Sequence, residues 1–328
     1  MRNGLKNLLI ASLAIIAASC GTRGGAATEA EAETAQLPWL KVEGTQLMNE
    51  LGDTVTLCGV SFGWHQMWPR FYNDSTVDYL VNDWGAQVIR ASMGVDLDSA
   101  CYVSRPDHGI ECVTTVADAA IASGVYVIID WHSHNLRLEE ARGFFTQMAN
   151  RYKGVPNVIY ELYNEPVDDS WEQLKDYAEQ LTATIRAIEP RALILMGCPH
   201  WDQDINLVAE SPITSYDNIM YTVHFYAATH TQWLRDRADA AMAAGVPVFV
   251  SECAGMEASG DGPIDMEEWQ RWVGWMADRR LSWAAWSVSD KDETCSMLLP
   301  SASSTGWWRG EDIKPWGQIV RQQLQSLK

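Results

Sequence analysis

The sequence predicts a (β/α)8 TIM barrel, an α/β fold built as one domain, on three observations. Eight short β-rich runs recur along the chain and most alternate with stretches of helical periodicity. Most of these runs are apolar on both alternations, as parallel strands covered on both faces must be. No Gly-rich phosphate loop follows the first run, which disfavours a doubly wound open sheet.

The predicted strands are Thr56 to Phe62, Gln87 to Met93, Tyr126 to His132, Asn157 to Pro166, Leu193 to Gly197, Ile219 to Tyr226, Val246 to Cys253 and Leu281 to Ser289. The fourth run ends in Asn164-Glu165-Pro166, and the proline, lacking an N–H, stops the strand where the carboxylate stands. From Ser170 to Glu189, Trp171, Leu174, Tyr177, Leu181, Ile185 and Ile188 recur at helical spacing, and Ser170 suits the N-cap. Glu268 to Arg280 repeats the pattern with Trp269, Trp272, Val273 and Met276. Gly124 and Gly245 stand between helical runs and strands, where a left-handed C′ residue belongs. No second domain, linker or internal repeat is visible after Leu37.

The net charge of −19 argues against nucleic acid or an anionic membrane surface as partner. Sixteen Trp and eleven Tyr exceed what core packing needs, leaving flat faces for stacking. Residues 1–19 read as a signal peptide, with Arg2 and Lys6 before an apolar Leu8 to Ala18 too short to span a bilayer comfortably. Ala17-Ala18-Ser19-Cys20 resembles a bacterial lipoprotein cleavage box, although Ala17 departs from the usual Leu. The expectation is an exported protein held at the cell surface or in the periplasm by lipid on Cys20, with plain secretion as the alternative. Residues 20–37, poor in large apolar side chains, read as a tether, leaving 38–328 as the globular domain. Of six further cysteines, Cys101 and Cys112 bracket a Pro/Asp/Gly stretch and are the pair expected to form a disulfide.

In a barrel of this kind chemistry sits at the C-terminal strand ends. Those ends carry Arg90, then Asp130-Trp131-His132, Asn164-Glu165, His200-Trp201, His224 with Tyr226, Glu252, and Trp286 followed by Asp290-Lys291-Asp292-Glu293. Glu165 and Glu252 supply the two carboxyls that glycosidic hydrolysis needs, one to protonate the leaving oxygen and one to meet the oxocarbenium-like centre. Arg90, His224 and the Tyr226 hydroxyl are suited to hold Glu252 ionised, Asn164 to bind a sugar hydroxyl, and Trp286 to face a pyranose ring. A metal hydrolase reading rests on His132-Ser133-His134, but that pair lies on the third strand rather than the first. Neither metal nor cofactor is expected.

These residues resemble glycoside hydrolase family 5, the retaining cellulase-type barrels, over roughly Trp39 to Leu327. The motifs are I-R-A at 89–91, I-D-W-H at 129–132, Y-E-L-Y-N-E-P at 160–166, H-F-Y at 224–226, S-E at 251–252 and W-S at 286–287. The resemblance implies Glu165 as acid/base, Glu252 as nucleophile, and Arg90, His132, Asn164, His224, Tyr226 and Trp286 as the supporting site. A-W-S-V-S-D-K-D-E at 285–293 looks like the bacterial endoglucanase branch, which implies sugar contacts for Lys291 and Glu293. Trp68 resembles a distal stacking residue of that branch and Trp201 its leaving-group-side platform. The implied protein is a monomeric endo-β-1,4-glucanase acting by double displacement. Mannan, xyloglucan, lichenan and xylan remain alternative substrates, and a non-catalytic glycan-binding surface lipoprotein is the rival from another class.

Overall fold

A computed structural model describes residues 36–328. The expectations for a signal peptide, for lipid on Cys20 and for most of the tether fall outside the described residues. The chain opens with an antiparallel hairpin of β1 (Leu40–Glu43) and β2 (Gln46–Asn49), whose turn places Gly44 at φ 62°. Leu40 and Leu47 from this hairpin join Val88, Tyr126, Ile128, Ile159, Leu195 and Phe249 in one apolar cluster. The hairpin therefore plugs the N-terminal mouth of the barrel.

The barrel strands follow as β3 (Cys58–Phe62), β4 (Val88–Gly94), β5 (Tyr126–His132), β6 (Val158–Glu161), β7 (Leu193–Met196), β8 (Ile219–Thr222), β9 (Phe225–Tyr226), β10 (Val248–Ala254) and β11 (Trp283–Val288). Every neighbouring pair is parallel, and β11 pairs with both β10 and β3, closing the sheet. β8 and β9 occupy one staircase position beside β10, so eight positions make the circle. The predicted sixth strand thus breaks at Val223-His224, where His224 leaves the ladder to bond through both ring nitrogens.

Register shifts mark two places on the rim. Between Phe249 and Cys253 β10 advances four residues while its β8–β9 neighbours advance three. Against β11, Val250 to Cys253 spans three residues while Trp283 to Ala285 spans two. Both sides locate one extra residue at Ser251-Glu252, a bulge that re-aims Glu252. A second shift lies on β11 between Ala285 and Val288, at Trp286-Ser287.

Helices cover the outside, among them Pro106–Ala122, Trp171–Arg186 and Met266–Arg279. Ser170 and Gln173 form a reciprocal capping box that starts the second of these, as the sequence predicts. The third begins two residues before the predicted Glu268, because Asp265 accepts from the Glu268 N–H and caps it. Gly124 and Gly245 adopt φ 70° and 94° at helix ends. No helix among the described residues is long and apolar enough to cross a membrane.

The expected Cys101–Cys112 disulfide is absent: both thiols are free and buried. The Pro/Asp/Gly stretch is no loop but the first turn of the helix Pro106–Ala122, with Pro106 pre-set for its N-terminus. Cys112 therefore sits on the helix beside His108, while Cys101 faces Ser104. Burial raises the Cys112 thiol to about 11. Thiol titration at pH 7.5 should find the six described cysteines slow in the native protein and all six reactive in denaturant without reductant. Two thiols missing in denaturant would restore the disulfide.

Candidate active site

The C-terminal mouth is organised by a buried guanidinium. Arg90 on β4 bonds Glu161 through Nε at 2.7 Å and Nη2 at 3.2 Å, Asn164 Oδ1 at 2.6 Å and Glu252 Oε2 at 3.1 Å. Asp130 Oδ2 lies 3.0 Å from Nη2. A cation buried this completely is tolerable only when its donors and charge are matched, and here oxygens of Glu161, Asn164, Glu252, Asp130 and Ser61 meet it. Burial pushes the Glu161 carboxyl up, but Arg90 and His224 together outweigh it and hold Glu161 at about 2.

Glu252 accepts from the Tyr226 hydroxyl at 2.8 Å as well as from Arg90. Glu165 follows β6 in the loop after Asn164, and its two oxygens meet His224 Nδ1 at 3.0 Å and His134 Nε2 at 3.3 Å. One oxygen of Glu165, one nitrogen of His224 and one oxygen of Glu252 lie within 4.8 Å of one another. That spacing could admit a cation, but Arg90 already supplies the positive charge on Glu252 and the histidine is claimed on both nitrogens. The donor set fits a carboxyl pair rather than a metal centre.

Charge is shared across this cluster. Burial raises Glu165, yet the hydrogen bonds from His134 and His224 outweigh it and leave it well below the usual carboxylate range. Burial and then the charge of Glu165 push Glu252 upward, against His224, Arg90 and Tyr226. His224 is lowered by burial but raised further by Asp202, Glu161 and Glu165, and ends well above an ordinary histidine. These contacts favour a proton on His224, beside Glu165. Protonating Glu165 removes the charge that raises Glu252, so an acidic Glu165 and an ionised Glu252 favour each other.

His132 Nδ1–H donates to Asp130 Oδ2 at 2.7 Å, and its ring stacks on Trp286 at 5.2 Å and 14°. The Asn164 amide nitrogen is buried without a partner, a donor left over for a ligand. Two cavities of about 500 and about 490 Å³ share Glu165 and Tyr226, so a groove runs past the carboxyls in both directions. Trp68, Trp286, Lys291 and Glu293 line one half, with Lys291 paired to Glu293. A Cβ on Gly63 would stand 2.6 Å from the Trp68 ring, so glycine there lets the indole lie on the rim. Trp201, 45% exposed, stands in the other half.

All twelve predicted groove and rim residues therefore gather at one mouth. One expectation is corrected: His224 serves Glu165, not Glu252, because its Nδ1 reaches across the gap left where β8 ends. Sequence reading placed Asp130 on the rim without a role, and missed Glu161, Ser251, Asp202 and the Glu165 contact of His134. Glu161 carried a signal, since a carboxylate inside the apolar run V-I-Y-E requires a buried cation, and Arg90 is the cation among the strand runs.

An open groove centred on two facing carboxyls places the chain among the barrel hydrolases that work with an acid pair. Residues 48–292 match the family described as "Cellulase (glycosyl hydrolase family 5)". The chain belongs to that family. It is 39% identical over 292 residues to an endoglucanase of Clostridium saccharobutylicum, covering 87% of this chain and 64% of that one. A solved structure from Cytophaga hutchinsonii superposes with a TM-score of 0.86 at 41% identity, covering 88% and 95% of the two chains. The catalytic domain of a Thermobifida fusca endoglucanase, in complex with cellotetraose, superposes with a TM-score of 0.81 at 33% identity, covering 87% and 97%. The chain spans between 57% and 64% of the length of the C. saccharobutylicum, Evansella cellulosilytica and Pectobacterium carotovorum endoglucanases it matches.

Proposed function

We propose that residues 38–328 form the catalytic domain of an endo-β-1,4-glucanase that hydrolyses internal bonds of cellulose or a related β-glucan with retention. The observation that carries this reading is the approach of Glu165 and Glu252 within 4.8 Å. Retaining pairs stand about 5–5.5 Å apart and inverting pairs about 6.5–9.5 Å, because inversion needs a water between carboxyl and sugar. Glu252, oriented by Arg90 and Tyr226, attacks the anomeric carbon while Glu165 protonates the leaving oxygen. Glu165, then ionised beside His224, takes a proton from water, which hydrolyses the glycosyl-enzyme. The unpartnered Asn164 amide is placed to bond a sugar hydroxyl, and Trp286, Trp68 and Trp201 offer stacking faces on both sides of the cut. A groove open at both ends suits internal cleavage.

Lys291 and Glu293 contact the sugar on the non-reducing side in this reading, and His132 braces Trp286. The sequence of residues 1–20 supports export with lipid on Cys20 and tethering at a membrane surface. Reducing-sugar release from cellulose derivatives, lichenan, xyloglucan, mannan and xylan tests the substrate, with the β-1,4-glucans expected fastest. Proton NMR of the first product should show the β-anomer before mutarotation; the α-anomer appearing first would overturn the retaining mechanism.

A further inference from the structure

Next to Trp201 lies a side chain for which the double displacement above has no use. Asp202 is fully buried, on a segment where His200, Trp201 and Asp202 take φ 54°, 55° and 60° in succession. Three consecutive non-glycine residues in the left-handed region persist only when their surroundings over-determine them. Asp202 is one of the residues that hold them, beside the backbone bonds of Trp201 to Pro166 and of Asp204 to Pro199. Its Oδ1 accepts from the Cys198 N–H at 2.6 Å and its Oδ2 from the Thr222 hydroxyl at 3.0 Å. Gly197 makes room for it, since a Cβ there would stand 2.8 Å from Asp202 Oδ1 and 2.8 Å from Pro166 Cδ.

The same carboxylate reaches toward the chemistry. Asp202 Oδ2 lies 3.2 Å from His224 Nε2, and His224 Nδ1 lies 3.0 Å from Glu165 Oε1. Carboxylate, imidazole and acid form a line. A second tie runs through the backbone, where the Trp201 N–H donates to the carbonyl of Pro166, the residue after Glu165, at 2.9 Å. The platform for the leaving sugar and the group that must protonate that sugar's oxygen are joined twice.

We propose that Asp202 is a positioning residue for acid catalysis: through His224 it keeps a proton available to Glu165 and ties the Trp201 platform to that acid. The inference rests on the assignment of Glu165 as the acid. The proton step balances as follows. The Nδ1–H bond of imidazolium His224 breaks and an O–H bond forms on Glu165, leaving both neutral. That O–H bond then breaks as the leaving oxygen takes the proton and its bond to the anomeric carbon ends. The charged and titratable groups facing His224 are Asp202, Glu161, Glu165 and, across the site, Glu252, with Asp130, His132 and His230 around them. Asp202 is the one of these that comes from the platform segment. Burial pushes its own carboxyl up while His224, Cys198 and Thr222 pull it back, so the line Asp202–His224–Glu165 holds its proton jointly.

The test is the hydrolysis of aryl β-cellobiosides by Asp202→Asn. A dinitrophenolate leaves without a proton, whereas a phenolate needs one. General acid catalysis contributes about 10²–10⁴-fold, so D202N is expected to slow phenyl β-cellobioside about 10- to 100-fold and the dinitrophenyl substrate less than about 3-fold. The alkaline limb of kcat/KM for the phenyl substrate should move to lower pH, because the line has lost a carboxylate that favours the proton. Both rates come from one preparation, so their ratio does not depend on the folded fraction, and Asp202→Ser provides a second uncharged variant. Equal slowing of both substrates, or slowing of neither, with the limb unmoved, overturns the proposal. Glu165→Gln separates the two readings. If E165Q does not spare kcat/KM for the dinitrophenyl substrate, which reports the first step alone, before Glu165 acts as base, the acid assignment fails; if E165Q spares it and D202N does not, only the inference about Asp202 fails.

Discussion

Glu252→Ala is expected to lower kcat on β-glucan by at least about 10⁴-fold while cellotetraose affinity stays within about 3-fold. The asymmetry follows from where Glu252 acts in the proposed double displacement. Its oxygens are held by Arg90 and Tyr226, and its task is a bond that exists only after the ground state has been left. Binding rests instead on the aromatic faces and polar groups along the groove. The alanine leaves a hole on the face from which Glu252 attacks, and a small anion can enter it. Azide is therefore expected to restore cleavage of an activated aryl cellobioside and to give the α-glycosyl azide, since attack comes from that face. A β-azide, or undiminished reducing-sugar release by E252A, would remove Glu252 from the role of nucleophile.

The fold was legible because a parallel barrel writes its strands as apolar runs and its chemistry at their ends. Tyr126–His132 matches the predicted run to the residue, and its last three positions, Asp130, Trp131 and His132, were already read as rim. What could not be read were the offsets. The bulge at Ser251-Glu252 and the register shift at Trp286-Ser287 are relations between strands and leave no period in either one. The break between β8 and β9 has the same origin, and with it went the correct partner of His224. Asp202 was invisible for another reason. Within H-W-D-Q-D it looks like one more surface acid, and only the left-handed turn at His200 to Asp202 swings it inward to meet His224. The lone pair Cys101 and Cys112 misled because Pro, Asp and Gly mark helix starts as readily as loops.

Arg90→Met is expected to cost about 3–5 kcal/mol of stability, because it leaves three buried carboxyls facing one another. Glu161 and Asp130 are fully buried, and Glu252 nearly so. For a domain of this size the loss corresponds to a fall in Tm of roughly 10 °C. Its pH dependence has a definite sign. In the native protein Glu161 sits at about 2, below its unfolded value of about 4.3, so it adds stability above that value and the gain is lost as pH falls toward 2. Without Arg90, only His224 opposes burial at Glu161, so the carboxyl rises and the stability it adds above about 4.3 shrinks. The difference in Tm between the native protein and R90M should accordingly be larger at pH 7.5 than at pH 5, measured by thermal unfolding. Arg90→Lys restores a charge but not the fork that reaches Glu161, Asn164 and Glu252 at once. It should recover part of the Tm and little of the turnover, separating the guanidinium's part in holding the cluster together from its part in aiming Glu252. A Tm for R90M within about 2 °C of the native protein would show that the carboxyls are not balanced by Arg90.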